Sequence, residues 1–173
     1  ALPGARITRA DAGAAFAAAG GGIQGDEDRI ALPEAHFDLI VSAGVLDTVN
    51  DLPGALILAR RALKPDGLFL AAFAGAGSLA TLRAVLREAE PETTRIHPQI
   101  DVRSAGDLLV RAGFALPVAD TETLTVRYAG LFGLLGDLRG MAATNLLPDR
   151  APLRRATLAG AAPAFARRAD PDG

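Results

Sequence analysis

Residues Phe37 to Phe73, FDLIVSAGVLDTVNDLPGALILARRALKPDGLFLAAF, constrain the fold more than any other stretch of this chain. Asp38-Leu39-Ile40-Val41 is a short, largely apolar run, long enough for a buried parallel strand and too short for a helix. Ser42, Ala43 and Gly44 end it. Asn50 and Asp51 can cap a helix whose first turn accommodates Pro53, and Leu52, Leu56, Ala59 and Leu63 recur along one face of it. Lys64-Pro65-Asp66-Gly67 stops this helix, and Leu68 to Ala72 forms a second apolar run. Two such runs joined through a helix imply a right-handed crossover between parallel strands, and sheets of that kind bind ligands at the carboxyl ends of their strands.

A chain of 173 residues, 50% of them hydrophobic, buries one sizeable core, so a single domain over residues 1–173 is expected. The formal net charge of −2 leaves no basic surface for nucleic acid or for an anionic membrane. Cysteine is absent, which removes disulfides, thiolate catalysis and thiolate-bound metal. His36 and His97 are the only histidines and stand in no paired spacing, so no metal site is expected. No apolar run reaches the roughly 18 residues that span a bilayer, and no signal peptide is evident; a protein without membrane insertion, cytoplasmic by default, is expected.

Ahead of the central segment, Ala5 to Ala10 alternates weakly and ends at Asp11, followed by a small-residue helix from Ala12 to Ala19. Gly20-Gly21-Gly22 breaks that helix, Ile23-Gln24-Gly25 reads as a short strand, and Asp26-Glu27-Asp28 stands at its carboxyl end. After Phe73, Ser78 is the expected N-cap of a helix with Leu79, Leu82, Val85, Leu86 and Ala89 on one face. Ser104 and Asp107 suggest a capping box for a further helix, with Gly113 just past its end. Phe114 to Val126 reads as a strand, and helices are expected over Tyr128–Met141 and Ala151–Arg168.

An acid at the end of the second strand of a nucleotide-binding sheet can accept both ribose hydroxyls of an adenosine, which makes Asp11 the first candidate site residue. Asp26 or Glu27, at the next strand end, can accept from an adenine amino group. Ser42 follows the central strand, beside the place a cofactor would take. Asp47, in the loop beyond it, is a weak candidate for orienting or deprotonating a nucleophile, with a helix-leading acid as the plainer reading. The Gly20 to Gly22 and Gly75 to Gly77 stretches read as turns, and Lys64 as part of a turn near a helix C-terminus.

Phe37-Asp38-Leu39-Ile40-Val41-Ser42, Asn50-Asp51-Leu52-Pro53 and Leu63-Lys64-Pro65-Asp66-Gly67 are similar to class I S-adenosylmethionine-dependent methyltransferases, of the type that includes the malonyl-carrier-protein methyltransferase of biotin synthesis. A more specific pattern, Tyr128-x-Gly130-x-Phe132-x-Leu134-Leu135-x-Asp137-Leu138-x-Gly140-Met141 with Asn145 beyond it, resembles the complex I assembly-factor methyltransferases and their bacterial relatives. Arg111-Ala112-Gly113-Phe114 and Leu79-x-x-Leu82-Arg83 support that placing. The resemblance implies a Rossmann-like α/β fold, a parallel sheet flanked by helices, with S-adenosylmethionine as cofactor held by Asp11, Asp26 or Glu27, and Ser42. It implies methyl transfer to a small-molecule or protein acceptor, or arginine hydroxylation or assembly of a respiratory complex I subunit through a helical, substrate-side region at 128–168. A non-catalytic binding protein of the same fold is the third reading. Bacterial cytoplasm or, in a eukaryote, the mitochondrial matrix would be the setting.

Three departures from the family pattern stand out. Leu46-Asp47-Thr48 replaces a Leu-His-Trp or Leu-Gln-Trp loop, and Gly77 and Thr81 replace acids. The Gly-rich first motif and the last strand, expected before Ala1 and after Asp172-Gly173, are missing, so a fragment with unpaired strand edges, low stability and weak or no binding of S-adenosylmethionine is expected.

Overall fold

In the computed structural model, which describes residues 4–144, 147 and 151–168, the chain forms two units. One comprises Ala1–Ala74 with Ile100–Asp120, the other Gly75–Gln99 with Thr121–Gly173. Asn145 and the Asp172-Gly173 terminus lie outside the described residues.

The first unit begins with β1 (Ala10–Asp11), α1 (Ala14–Ala19) and β2 (Ile23–Gln24), the two strands pairing in parallel as Ala10 with Ile23 and Asp11 with Gln24. Of the expected Ala5–Ala10 strand only the last residue is paired. The central segment supplies β3 (Phe37–Ala43), α2 (Leu52–Ala62) and β4 (Leu63–Ala72), with β3 and β4 parallel. Asp51 caps α2 through its carboxylate, which accepts from the Gly54 amide at 2.9 Å. A stretch at 80–89 belongs to the other unit as α3 (Ala80–Ala89), and the chain returns as α4 (Val102–Arg111).

Helix α2 stops just ahead of Lys64-Pro65-Asp66-Gly67, at Ala62 with Leu63 as its C-cap, but the stretch is not a turn between separate elements. It lies inside β4 as an irregularity: Phe37 pairs with Leu63, whereas Leu39 already pairs with Leu68. Asp66 takes a left-handed φ of 62°, and a Cβ on Gly67 would come 3.0 Å from the Lys64 carbonyl oxygen and 3.2 Å from that of Phe37, so a side chain there would crowd the bulge. Lys64 Nζ bridges to the Asp38 carboxylate on the neighbouring strand at 2.8 Å. That is a surface ion pair across strands rather than a helix-end charge.

One face of the β3–β4 pair carries the core of this unit. Leu46, Ala55 and Leu56 are buried, with Phe69, Leu108, Leu109 and Phe114 packed around them. Phe69 and Phe114 stack at 5.1 Å, and Arg60 Nε donates to the Gly113 carbonyl at 3.1 Å, tying the end of α4 to α2. On the opposite face Val41, Leu68 and Leu70 remain exposed.

The second unit gathers α3, α5 (Leu131–Gly140) and α6 (Arg155–Ala166). Their apolar stripes meet in a core of Leu82, Val85, Leu86, Leu131, Leu134, Leu138, Ala161 and Ala164. Small residues on α6 allow close approach to α3: a Cβ on Gly160 would come 3.3 Å from the Ala89 methyl. Glu88 accepts from both Arg167 and Arg168, at 2.5 and 2.7 Å.

Three sequence expectations change. Phe114 to Val126 is not a strand: no described strand lies alongside to complete its hydrogen bonds, and Leu116, Val118 and Leu124 are at least 83% exposed. Ser78 does not cap α3, because its amide closes a turn onto Gly75 and Leu79 occupies the N-cap with a φ of 56°. Asp101, not Ser104, caps α4; Ser104 stands at the receiving end, its amide and hydroxyl both donating to the Asp101 carboxylate.

Candidate functional site

Within the first unit, Thr8, Ala10 and Asp11 line a cavity of about 290 Å³. Its other wall is formed by Leu39, Ile40, Val41, Ser42 and Ala43. Five consecutive residues of a strand point alternately to its two faces, so a cavity that all five line runs along the edge of β3 that does not pair with β4. Phe69, Ala55 and Leu58 supply an apolar floor, and Gly25, Glu27 and Ile30 close the end beyond β2.

The structure brings Asp11, Glu27 and Ser42 to this one cavity. Asp11 Oδ1 accepts from the Gly13 amide at 2.7 Å, which fixes the carboxylate at the strand end. The Ser42 hydroxyl is buried without a hydrogen-bond partner. A buried hydroxyl left unpaired costs about 1–3 kcal/mol, so this is a position where a ligand atom would be welcome. Glu27 is held above the ordinary glutamate range, first by burial and then by repulsion from Asp26, Asp11 and Asp28, with a backbone hydrogen bond acting the other way.

Asp26 and Asp47 are not among the residues lining the cavity. Asp26 shapes the turn after β2, its carbonyl accepting from the amides of Arg29 and Ile30 at 2.9 and 2.8 Å. One carboxylate oxygen of Asp47 is buried and unpartnered in the loop after β3, where Thr48 Oγ1 donates to the Val45 carbonyl at 2.9 Å. Asp28 was not singled out by sequence, yet its carboxylate accepts from the Asp51 amide at 3.2 Å and so joins the acidic turn to the start of α2. Gly25 and Ile30 were also missed. The only signal was their position around the acidic triplet.

Glu27 predicts a pH effect of unusual sign for a carboxylate. Because the folded state raises its proton affinity, the folded chain keeps a proton that the unfolded chain has released, and stability falls as pH rises through the folded value. The contribution is fully present below the unfolded value. Urea midpoints measured across the carboxylate range should therefore drop with rising pH more in the native chain than in Glu27→Gln, which removes the titrating group. Parallel pH profiles for the two proteins would contradict the assignment.

Residues 4–71 match the family described as Methyltransferase domain. The chain is 42% identical over 149 residues to the arginine-hydroxylase NDUFAF5, mitochondrial, of Rattus norvegicus, a match that covers 83% of this chain and 43% of that protein. It is 36% identical over 125 residues to the malonyl-[acyl-carrier protein] O-methyltransferase of Methylovorus sp., covering 72% of this chain and 42% of the relative. Among solved structures, a SAM-dependent methyltransferase from Thermotoga maritima aligns with a TM-score of 0.48 at 21% identity, over 61% of this chain and 54% of that one. Over most of its length the chain is thus similar to class I S-adenosylmethionine-dependent methyltransferases, and its described residues form an α/β architecture of parallel strands and flanking helices. Within that class its similarity runs to both the arginine-hydroxylase and the malonyl-carrier-protein branches, and it spans less than half the length of either relative.

Proposed function

We propose that this chain contributes the adenosine side of an S-adenosylmethionine site in a methyltransferase, with the acceptor still to be identified. The observation that carries the reading is the cavity along the free edge of β3, where the Asp11 and Glu27 carboxylates and the unpaired Ser42 hydroxyl converge over an apolar floor. The donor set fits the group: two carboxylates can accept from ribose hydroxyls and from an adenine amino group, and the apolar floor suits a purine. Asp11 would hold the ribose, Glu27 the adenine end, and Ser42 the cofactor's flank. Asp26 is left with its turn.

When bound, S-adenosylmethionine supplies an electrophilic methyl group on a sulfonium sulfur. Methyl transfer asks the protein chiefly to align acceptor and sulfonium and to exclude water, so no general base is required in principle. Asp47 follows β3 at the carboxyl end of the sheet and is our candidate for orienting the acceptor or holding its proton. The helical region at 128–168 is our candidate for acceptor recognition, on the strength of its Tyr128-to-Met141 pattern.

A second reading follows from the similarity to an arginine-hydroxylase: modification or assembly of a respiratory complex I subunit. The setting is then the bacterial cytoplasm or the mitochondrial matrix. No helix among the described residues is long and apolar enough to cross a membrane. Mass spectrometry separates the readings: the protein is incubated with methyl-labelled S-adenosylmethionine and, in turn, malonyl carrier protein and an arginine-bearing complex I subunit. Label and a gain of one methylene on an acceptor are expected. A gain of one oxygen without label would establish the second reading, and cofactor retention with no modified acceptor would favour a non-catalytic binding protein.

A further inference from the structure

The helical unit holds a second cavity, of about 370 Å³, that the methyl-transfer reading does not use. Arg83 and Arg87, one turn apart on α3, form one side; Pro91, Thr94, Ile96 and Pro98 form the rest over Leu86, which is 5% exposed. Its charges are unbalanced. Arg95, also on its wall, is neutralised: Glu90 accepts from its Nη2 at 2.7 Å and from Thr157 Oγ1 at 3.1 Å, and the Ala151 carbonyl accepts from Arg95 Nη1 at 2.5 Å. Arg83 donates only to a neutral amide, Gln99 Oε1, at 2.8 Å, and Arg87 has no partner among the described residues. No carboxylate lines the cavity.

Like charges spaced four residues apart on a helix repel by a few tenths of a kcal/mol. The two arginines therefore hold a small standing cost that an anion placed between them would relieve. Guanidinium groups present forked donors that match phosphoryl oxygens, and the Thr94 hydroxyl adds a neutral donor. The floor of Leu86 and Ile96 gives room for an apolar body attached to the charged head, and the volume lies in the range of small-molecule sites.

We propose that this cavity binds a phosphoryl-bearing small molecule, its phosphoryl group between Arg83 and Arg87 and its apolar portion over Leu86 and Ile96. The site is independent of the cofactor reading, since every residue in it belongs to the helical unit. Titration of the chain with inorganic pyrophosphate at low ionic strength, followed by amide NMR shifts, tests it. Saturable shifts confined to residues 83–98 are expected. Arg87→Gln should weaken binding about tenfold, the loss of one charge-assisted contact, and Arg83→Gln with Arg87→Gln should abolish it. Both side chains are exposed, so the variants should keep native circular dichroism. Shifts spread over arginines elsewhere, or equal titration of the native chain and the double variant, would overturn the proposal, as would equal affinity for citrate.

Discussion

Asp11→Ala should weaken the binding of S-adenosylmethionine by at least tenfold, which for this chain means the loss of a measurable signal. The native affinity is expected to be weak, above the micromolar range, because the cavity offers carboxylates and a hydroxyl for an adenosine but only Gly25 in the way of a glycine-lined backbone for the methionine half. Within that weak binding Asp11 is expected to carry a large share. Hydrogen bonds to a charged group contribute about 1.5–3 kcal/mol, equivalent to roughly 10- to 100-fold in affinity. Asp11→Asn provides the control, since its amide oxygen can still accept from the Gly13 amide that now meets Asp11 Oδ1, preserving the turn while removing the charge. Saturation-transfer NMR with adenosine and with S-adenosylmethionine would measure both. An alanine variant that binds like the native chain, with unchanged circular dichroism, would remove Asp11 from the site, and micromolar binding by the native chain would show that the methionine half is held by groups other than those named here.

The strand–helix–strand core of this site was legible because it depends on local rules: an apolar run, an Asp51 cap, a helical stripe, a second apolar run. The acids at successive strand ends were legible for the same reason, as order along the chain. What sequence could not separate was Asp26 from Glu27. Adjacent residues in a turn point in different directions, and only the backbone turn, closed by the Asp26 carbonyl, leaves Glu27 facing the cavity. The bulge within β4 was misread because Pro-Asp-Gly marks a chain reversal in most contexts, whereas here the turn is absorbed into a strand by pairing on both sides of it. Phe114 to Val126 failed for the converse reason. Its alternation is that of a strand, but a strand exists only through a neighbour's hydrogen bonds, and alternation says nothing about whether that neighbour is present.

Leu131→Ala should have the largest effect on stability, a loss of about 2–5 kcal/mol, because large-to-small changes in a packed core lose both transfer free energy and contacts around the cavity left behind. Leu131 is 2% exposed at the start of α5 and shares its cluster with Val85, which is fully buried, and with Ala161 and Ala164 on α6. Those alanines cannot reach across to refill the space. Relaxation would have to come from the backbones of α3 and α6, which already approach closely at Gly160 and Ala89, so the upper part of the range is expected. Against a typical domain stability of about 5–15 kcal/mol, such a loss removes a large fraction of the folded population's margin. Urea denaturation gives the size, and amide hydrogen exchange gives the location: protection should fall first in α3, α5 and α6, while β3 and β4 keep theirs. A shift below about 1 kcal/mol would mean that the helical core is loosely packed. Uniform loss of protection in both units would mean that the two unfold together, a coupling that contacts within the helical cluster do not require.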